Sequence, residues 1–132
     1  MSVTHELHGV RVFELAAEGP KIRTARDAAD VMSDAFAQSA QWLAIPVAQL
    51  DDDFFRLRTG VAGEVVSKFV AYGMRTAFIG DISQHVAGSD SFRDFVREAN
   101  RGKDFWFVTS LDGLNQRLAQ AQSRSAIPQV CQ

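Results

Sequence analysis

Several things are scarce in this chain of 132 residues, and each scarcity excludes something. There is one cysteine, Cys131, so an internal disulfide and a cysteine-built metal cluster are ruled out. Beside the last residue it is also badly placed as a nucleophile, because a terminal tail forms no pocket to lower a thiol pKa. Histidines number three, His5, His8 and His85. Positions three apart on a strand point to opposite faces, so His5 and His8 do not converge on an ion. His85 has no Gly-x-Ser-x-Gly elbow to serve. No catalytic residue, metal ligand or cofactor is therefore assigned. No apolar run approaches the roughly 20 residues of a membrane-spanning helix. Met1–Leu15 lacks the basic start and apolar centre of a secretory signal. The expected location is the cytoplasm, with no membrane contact. Charge of one sign is missing too: 14 basic and 16 acidic residues leave a net charge of −2. No global field for nucleic acid or an anionic membrane follows from that balance.

Apolar residues, by contrast, are plentiful at 46 %. A chain of this size fits one domain of about 100–150 residues, able to bury roughly two-thirds of its unfolded surface. Residues 1–121 read as that domain, and 122–132 as a flexible polar tail. Val3–His8 and Val10–Leu15 alternate apolar and polar side chains around Gly9, the pattern of a hairpin. Glu18-Gly19-Pro20 breaks the chain. Thr24–Ala40 is predicted helical, with Thr24 and Asp27 as a capping box and Ala28, Met32, Ala35 and Phe36 on the apolar side. Trp42–Ile45 is a short strand stopped at Pro46. Val47–Leu57 is a connection rich in acids and aromatics.

A second helix spans about Gly60 to Tyr72, with Glu64 and Lys68 spaced to pair and Gly73 as its left-handed cap. Thr76–Gly80 and Phe105–Val108 are continuous apolar strands, as in a parallel sheet covered on both faces. Between them, Phe92, Phe95, Val96 and Ala99 have helical spacing, with Ser91 as cap, after a loop at Ile82–Asp90. A last helix uses Leu111, Leu114 and Leu118 and fades near Ala121. The order is β-β-α-β-α-β-α-β-α. The predicted fold is an α/β mixed sheet, mostly parallel, with an antiparallel N-terminal edge strand.

That order resembles the STAS domain, named for sulfate transporters and anti-sigma-factor antagonists. At residue level the chain is similar to the bacterial family called domain of unknown function 4180. The resemblance is carried by Asp53-Phe54-Phe55-Arg56-Leu57-Arg58-Thr59-Gly60-Val61-Ala62-Gly63-Glu64 with Lys68-Phe69, by Ile79-Gly80-Asp81-Ile82-Ser83, by the run Phe92 to Gly102, and by Phe107-Val108-Thr109-Ser110. It implies a fold and a surface, and no reaction.

Ligands of open α/β sheets gather outside the carboxyl ends of the strands. Asp53, Arg58, Thr59 and Gly60 fall there, as do Asp81 and Ser83 after the next strand and Ser110 after the last. The STAS likeness implies that Thr59 stands where antagonists carry a phosphorylated serine, although Arg58-Thr59-Gly60 departs from their Asp-Ser-Ser-Gly. The alternative is that Thr59 only caps its helix. Gly60 and Gly63 lack the lysine of a phosphate loop and are expected to allow close packing on the sheet. Asp51, Asp52 and Asp53 lack calcium-loop spacing and read as solvated acids, with Asp53 also placed to cap the turn that carries Phe54 and Phe55. Arg93, Arg97 and Arg101 form a stripe beside Asp94 and Glu98, which reads as a salt-bridged outer face. The leading expectation is a regulatory module that binds a protein partner at the Thr59 edge. The alternative is a small-molecule or nucleotide binder, conceivably an enzyme, using Asp53, Asp81 and Ser110. A homodimer is a third possibility.

Overall fold

The computed structural model describes residues 3–16 and 21–130, with burial and side-chain contacts as far as Gln120. The break expected at Glu18-Gly19-Pro20 and the lone Cys131 lie outside the described residues. Five strands form one sheet in sequence order: β1 (Val3–Leu7), β2 (Val10–Glu14), β3 (Trp42–Pro46), β4 (Arg75–Ile79) and β5 (Phe105–Val108). β1 and β2 pair antiparallel, and the remaining neighbours are parallel. His8 at φ 51° and Gly9 at φ 78° make the tight turn of the hairpin. Two left-handed residues give a turn the same twist as its strands.

Among the described residues five α-helices alternate with the strands: α1 (Ala25–Ala37), α2 (Val61–Ala71), α3 (Ser83–Gly88), α4 (Asp90–Arg101) and α5 (Leu111–Val130). The α/β mixed sheet is thus as predicted, with one short helix added between β4 and β5. Thr24 caps α1 as expected: its side chain accepts from the Asp27 N–H, and the Asp27 carboxylate accepts from the Thr24 N–H.

Pleating divides the strand residues between two cores. On one face Phe13, Leu43, Ile45, Phe78 and Phe107 meet α1, α2 and α4 through residues such as Met32, Val65, Phe69 and Phe92. On the other face Val12, Trp42, Ala44, Ala77 and Trp106 meet Leu114 and Leu118 of α5. The sheet is covered on both sides, which is why β3, β4 and β5 are apolar without alternation.

Several local expectations are corrected. Residues 82–90 are not a plain loop, since they contain α3. A six-residue helix is too short to show an apolar period. The cap of α4 is Ser89, whose hydroxyl oxygen accepts from the Phe92 N–H, and not Ser91. β3 continues through Pro46, which pairs with Ile79 as the strand's last residue. α5 runs on past Ala121 to Val130. Phe36 is half exposed instead of filling the apolar side of α1. Lys68 lies over the Tyr72 ring at 4.8 Å, with no ion pair to Glu64. Gly63 has open space where a Cβ would stand, so close packing does not explain it; Gly60 sits at φ 82°, which does explain a glycine. The close approach occurs instead at Gly80 against Val47.

Candidate functional site

The carboxyl edge of the sheet holds the predicted residues, and each is engaged close to home. Between β3 and α2 the chain makes three single turns, Val47–Gln49, Asp52–Phe55 and Leu57–Thr59. The Asp51 side chain, and not that of Asp53, caps the middle turn by accepting from the Asp53 N–H. Asp51 also meets the Arg23 guanidinium at 3.1 Å. Thr59 Oγ lies 2.8 Å from the carbonyl oxygens of both Asp53 and Arg56, which share its one proton. The same oxygen accepts from the Val61 N–H at 3.3 Å. Thr59 therefore ties the last turn to the first N–H of α2 from one position before the N-cap, which is Gly60 and not Thr59 as the capping alternative expected. Arg58, Thr59 and Gly60 are all exposed. Asp53 makes a long exposed ion pair with Arg56, of the kind worth about 0–1 kcal/mol.

Past β4, the Ser83 hydroxyl and then its N–H donate to Asp81 and hold that carboxyl below the usual range for aspartate. Ser110 does the same kind of work at α5, accepting from the Gly113 N–H at 3.1 Å. Among the described residues, no hydrogen bond or ion pair joins Asp53 or Thr59 to Asp81, Ser83 or Ser110. The three loops share the carboxyl edge of the sheet. Beside these residues Val47 lies against Gly80, and the exposed His85 ring stacks on Phe55 with centroids 3.8 Å apart. Phe54 and Phe55 are buried, so that pair belongs to the core.

Asp81 has a consequence in acid. Its folded pKa lies below the ordinary value of 3.8, so the stabilisation is present above that value and is lost as pH falls through the folded pKa. Asp81→Asn keeps an oxygen for the Ser83 N–H and removes the charge. Urea midpoints of the wild type should fall more steeply below about pH 4 than those of the variant. Equal slopes would mean that the turn at Asp81 is not closed in solution.

The opposite, amino edge of the sheet carries a cleft of about 650 Å³. Trp42 and Arg75 open β3 and β4, Trp106 is the second residue of β5, Arg101 and Lys103 come from the end of α4 and the turn after it, and Arg117 descends from α5. Its construction begins with two small residues. Ala44 and Ala77 leave the face between β3 and β5 low, so the two indoles lean across β4 and meet with centroids 4.7 Å apart. The Trp106 Nε1–H donates to the Gly102 carbonyl at 2.8 Å. The Arg117 guanidinium lies over the Trp106 ring at 3.9 Å and donates to the Asn100 carbonyl at 2.7 Å. Asn100 Oδ1 meanwhile accepts from the Phe107 N–H at 2.8 Å, capping the outer side of the edge strand β5. One amide side chain thus joins α4, β5 and α5.

Asn100→Ala strands the Phe107 N–H and releases Arg117. The expected loss is about 1–3 kcal/mol, the cost of an unmatched half-buried donor. Chemical denaturation checks this, and Asn100→Asp, which keeps the acceptor, should lose less.

The sequence had pointed to the carboxyl edge and missed this one. A usable signal was there: each tryptophan stands within the first two residues of an apolar strand, and basic residues stand at the start of β4, Arg75, and just before β5, Lys103. The arginine stripe of α4 is what it seemed, since Arg93, Arg97 and Arg101 pair with Asp90, Asp94 and Glu98 one turn back. Among the described residues no three of His, Cys, Asp and Glu gather as metal ligands would, and no helix is long and apolar enough to cross a membrane.

In comparison with known proteins, the family model described as Domain of unknown function (DUF4180) matches residues 7–118. No curated protein and no solved structure matches the chain.

Proposed function

Since the chain belongs to the family of domain of unknown function 4180, whose description carries no activity, function has to be read from its own geometry, and we propose that it is a binding module that holds a small molecule in the amino-edge cleft. One observation carries this reading. The cleft is of small-molecule size, where pockets run about 300–1,000 Å³, and its polar wall is set before any ligand arrives. Trp106 and Asn100 hold Arg117 in one orientation, so little ordering remains to oppose binding. On this reading the domain is a STAS-like regulatory unit of the cytoplasm that responds to its ligand.

A thermal-shift screen of anionic, cationic and neutral metabolites tests it. A ligand at a hundredfold excess over its Kd stabilises by about 2.7 kcal/mol, enough to raise Tm by several degrees. The rise should vanish in Arg117→Met, which keeps much of the apolar stem. A screen without any hit, or hits that survive Arg117→Met unchanged, would count against the cleft.

A second reading places a protein partner, or a second copy of the chain, at the Thr59 edge. It is favoured by the exposure of Arg58, Thr59 and Gly60 at the start of α2, where an added phosphate would meet helix N–H groups. Mass spectrometry of the native protein that never finds Thr59 modified, with no partner in pull-downs and a monomer in sedimentation, would remove it.

A further inference from the structure

Building on the cleft reading, we infer that its ligand is a phosphate-bearing small molecule: a compact polyanion with an apolar or aromatic body. The charge of the lining comes first. Arg75, Arg101, Lys103 and Arg117 all face the cleft, and among the described residues no aspartate or glutamate lines it. This is unusual in a chain whose net charge is −2. Arg101 is shared with the basic stripe of α4, where it meets Glu98 on the same helix; Arg75, Lys103 and Arg117 lie outside that stripe. The four cleft cations come from β4, from the end of α4, from the turn before β5 and from α5, so no one element's periodicity accounts for them.

A plainer explanation covers part of the set. Cations at the end of a helix offset the partial negative charge of its last carbonyls, which suits Arg101 and Lys103 after α4. It does not reach Arg75, which opens a strand, or Arg117, which sits mid-helix.

The chemistry of the four points to phosphate. Arginine offers a planar fork that matches phosphate oxygens two at a time, and lysine adds a mobile point charge. Arg101 is engaged by Glu98 only at 3.7 Å, with both side chains about three-quarters exposed, so a ligand can take that partner's place at little cost. Size then separates a phosphate ester from bare phosphate. A cleft of about 650 Å³ exceeds what an inorganic ion fills, and the edges of Trp42 and Trp106 offer an apolar wall for the rest of the molecule. A dication would be repelled by the basic lining, and a neutral sugar would make no use of its charge.

The chain supplies its own reporter, because its two tryptophans are both in the lining. The full chain is titrated with adenosine diphosphate, inorganic pyrophosphate and adenosine, while the two indole N–H signals are followed by NMR. Adenosine diphosphate should shift both signals saturably, pyrophosphate should compete with it, and adenosine should bind far more weakly. Arg75→Ala with Lys103→Ala, both exposed positions, should weaken the diphosphate by about tenfold or more. Arg93→Ala with Arg97→Ala removes as much charge from the outer face of α4 and should change affinity by less than about twofold. Adenosine or a non-phosphate metabolite moving the indoles as strongly, without competition from pyrophosphate, would overturn the ligand class and leave the cleft standing. An equal loss in the α4 variant would reduce the binding to general charge attraction and overturn the class. If no compound in the titration or the metabolite screen moves either indole, both the class and the cleft fall.

Discussion

Phe54→Ala should lower the unfolding free energy by about 3–5 kcal/mol, the range for removing a buried phenylalanine from a packed core. Phe54 is fully buried although it lies in a single helical turn, Asp52–Phe55, between β3 and α2. Its ring sits 5.2 Å from that of Phe78 in the central strand β4 and 5.6 Å from that of Phe55. Phe78 continues to Phe107 at 5.0 Å, and Phe55 to Phe92 at 5.6 Å. Edge-on and tilted rings at these distances add about 0.5–1.5 kcal/mol per pair beyond area burial. Removal of Phe54 therefore opens a hole where the connection, the sheet and α4 meet, and the backbone turns around it cannot close in. Urea unfolding of the two proteins gives the difference. A loss under about 1 kcal/mol would show that the connection can refill the space, and that it is a loose cover and not core. Phe36→Ala on α1 is the contrasting case: that side chain is half exposed, and the change should stay within about 1 kcal/mol.

Gly80→Ala should destabilise by about 2–6 kcal/mol, the sum of overpacking and of a backbone conformation that L side chains rarely adopt. Gly80 follows β4 at φ 143°, and a Cβ placed there would overlap Val47 Cγ2. Its N–H donates to the Val108 carbonyl at 3.0 Å, so the residue cannot swing aside without loosening the end of β5. The two contributions separate in a cycle with Val47→Ala. The smaller side chain removes the overlap and not the dihedral strain, so the double variant should regain only part of the loss. Full recovery would assign the whole effect to the contact with Val47; no recovery would assign it to the backbone. This glycine was legible as part of a motif, Ile79-Gly80-Asp81, without its reason. The reason is the neighbouring connection crossing it.

The two edges of the sheet show how far the chain's own pattern reaches. Thr24 with Asp27, Ser110 with Gly113, and Thr59 with Val61 are contacts within a few residues, and capping chemistry makes such contacts readable in order. That same locality explains why the carboxyl edge looked like a site. Its polar residues are present at the right places for a ligand, and the structure employs them as caps and turns. Asp51 for Asp53 and Ser89 for Ser91 are errors of the same scale, where two adjacent polar residues compete for one N–H and small differences in backbone angle decide. The amino-edge cleft has the opposite character. Arg75 and Arg117 are forty-two positions apart, and Asn100 serves β5 and α5 together.

By itself the sequence determined the five strands, the longer helices, the mixed sheet and the double covering, because strand runs and helical spacing are set by neighbours within a few residues; the six-residue α3 was too short to show. It also determined the family. Tertiary structure alone formed the amino-edge cleft. Alanines at 44 and 77 let two distant tryptophans meet, and α5, crossing to the second face, brought Arg117 onto them. Cavities and convergent charges are products of packing between residues remote in the chain, and periodicity carries no record of them.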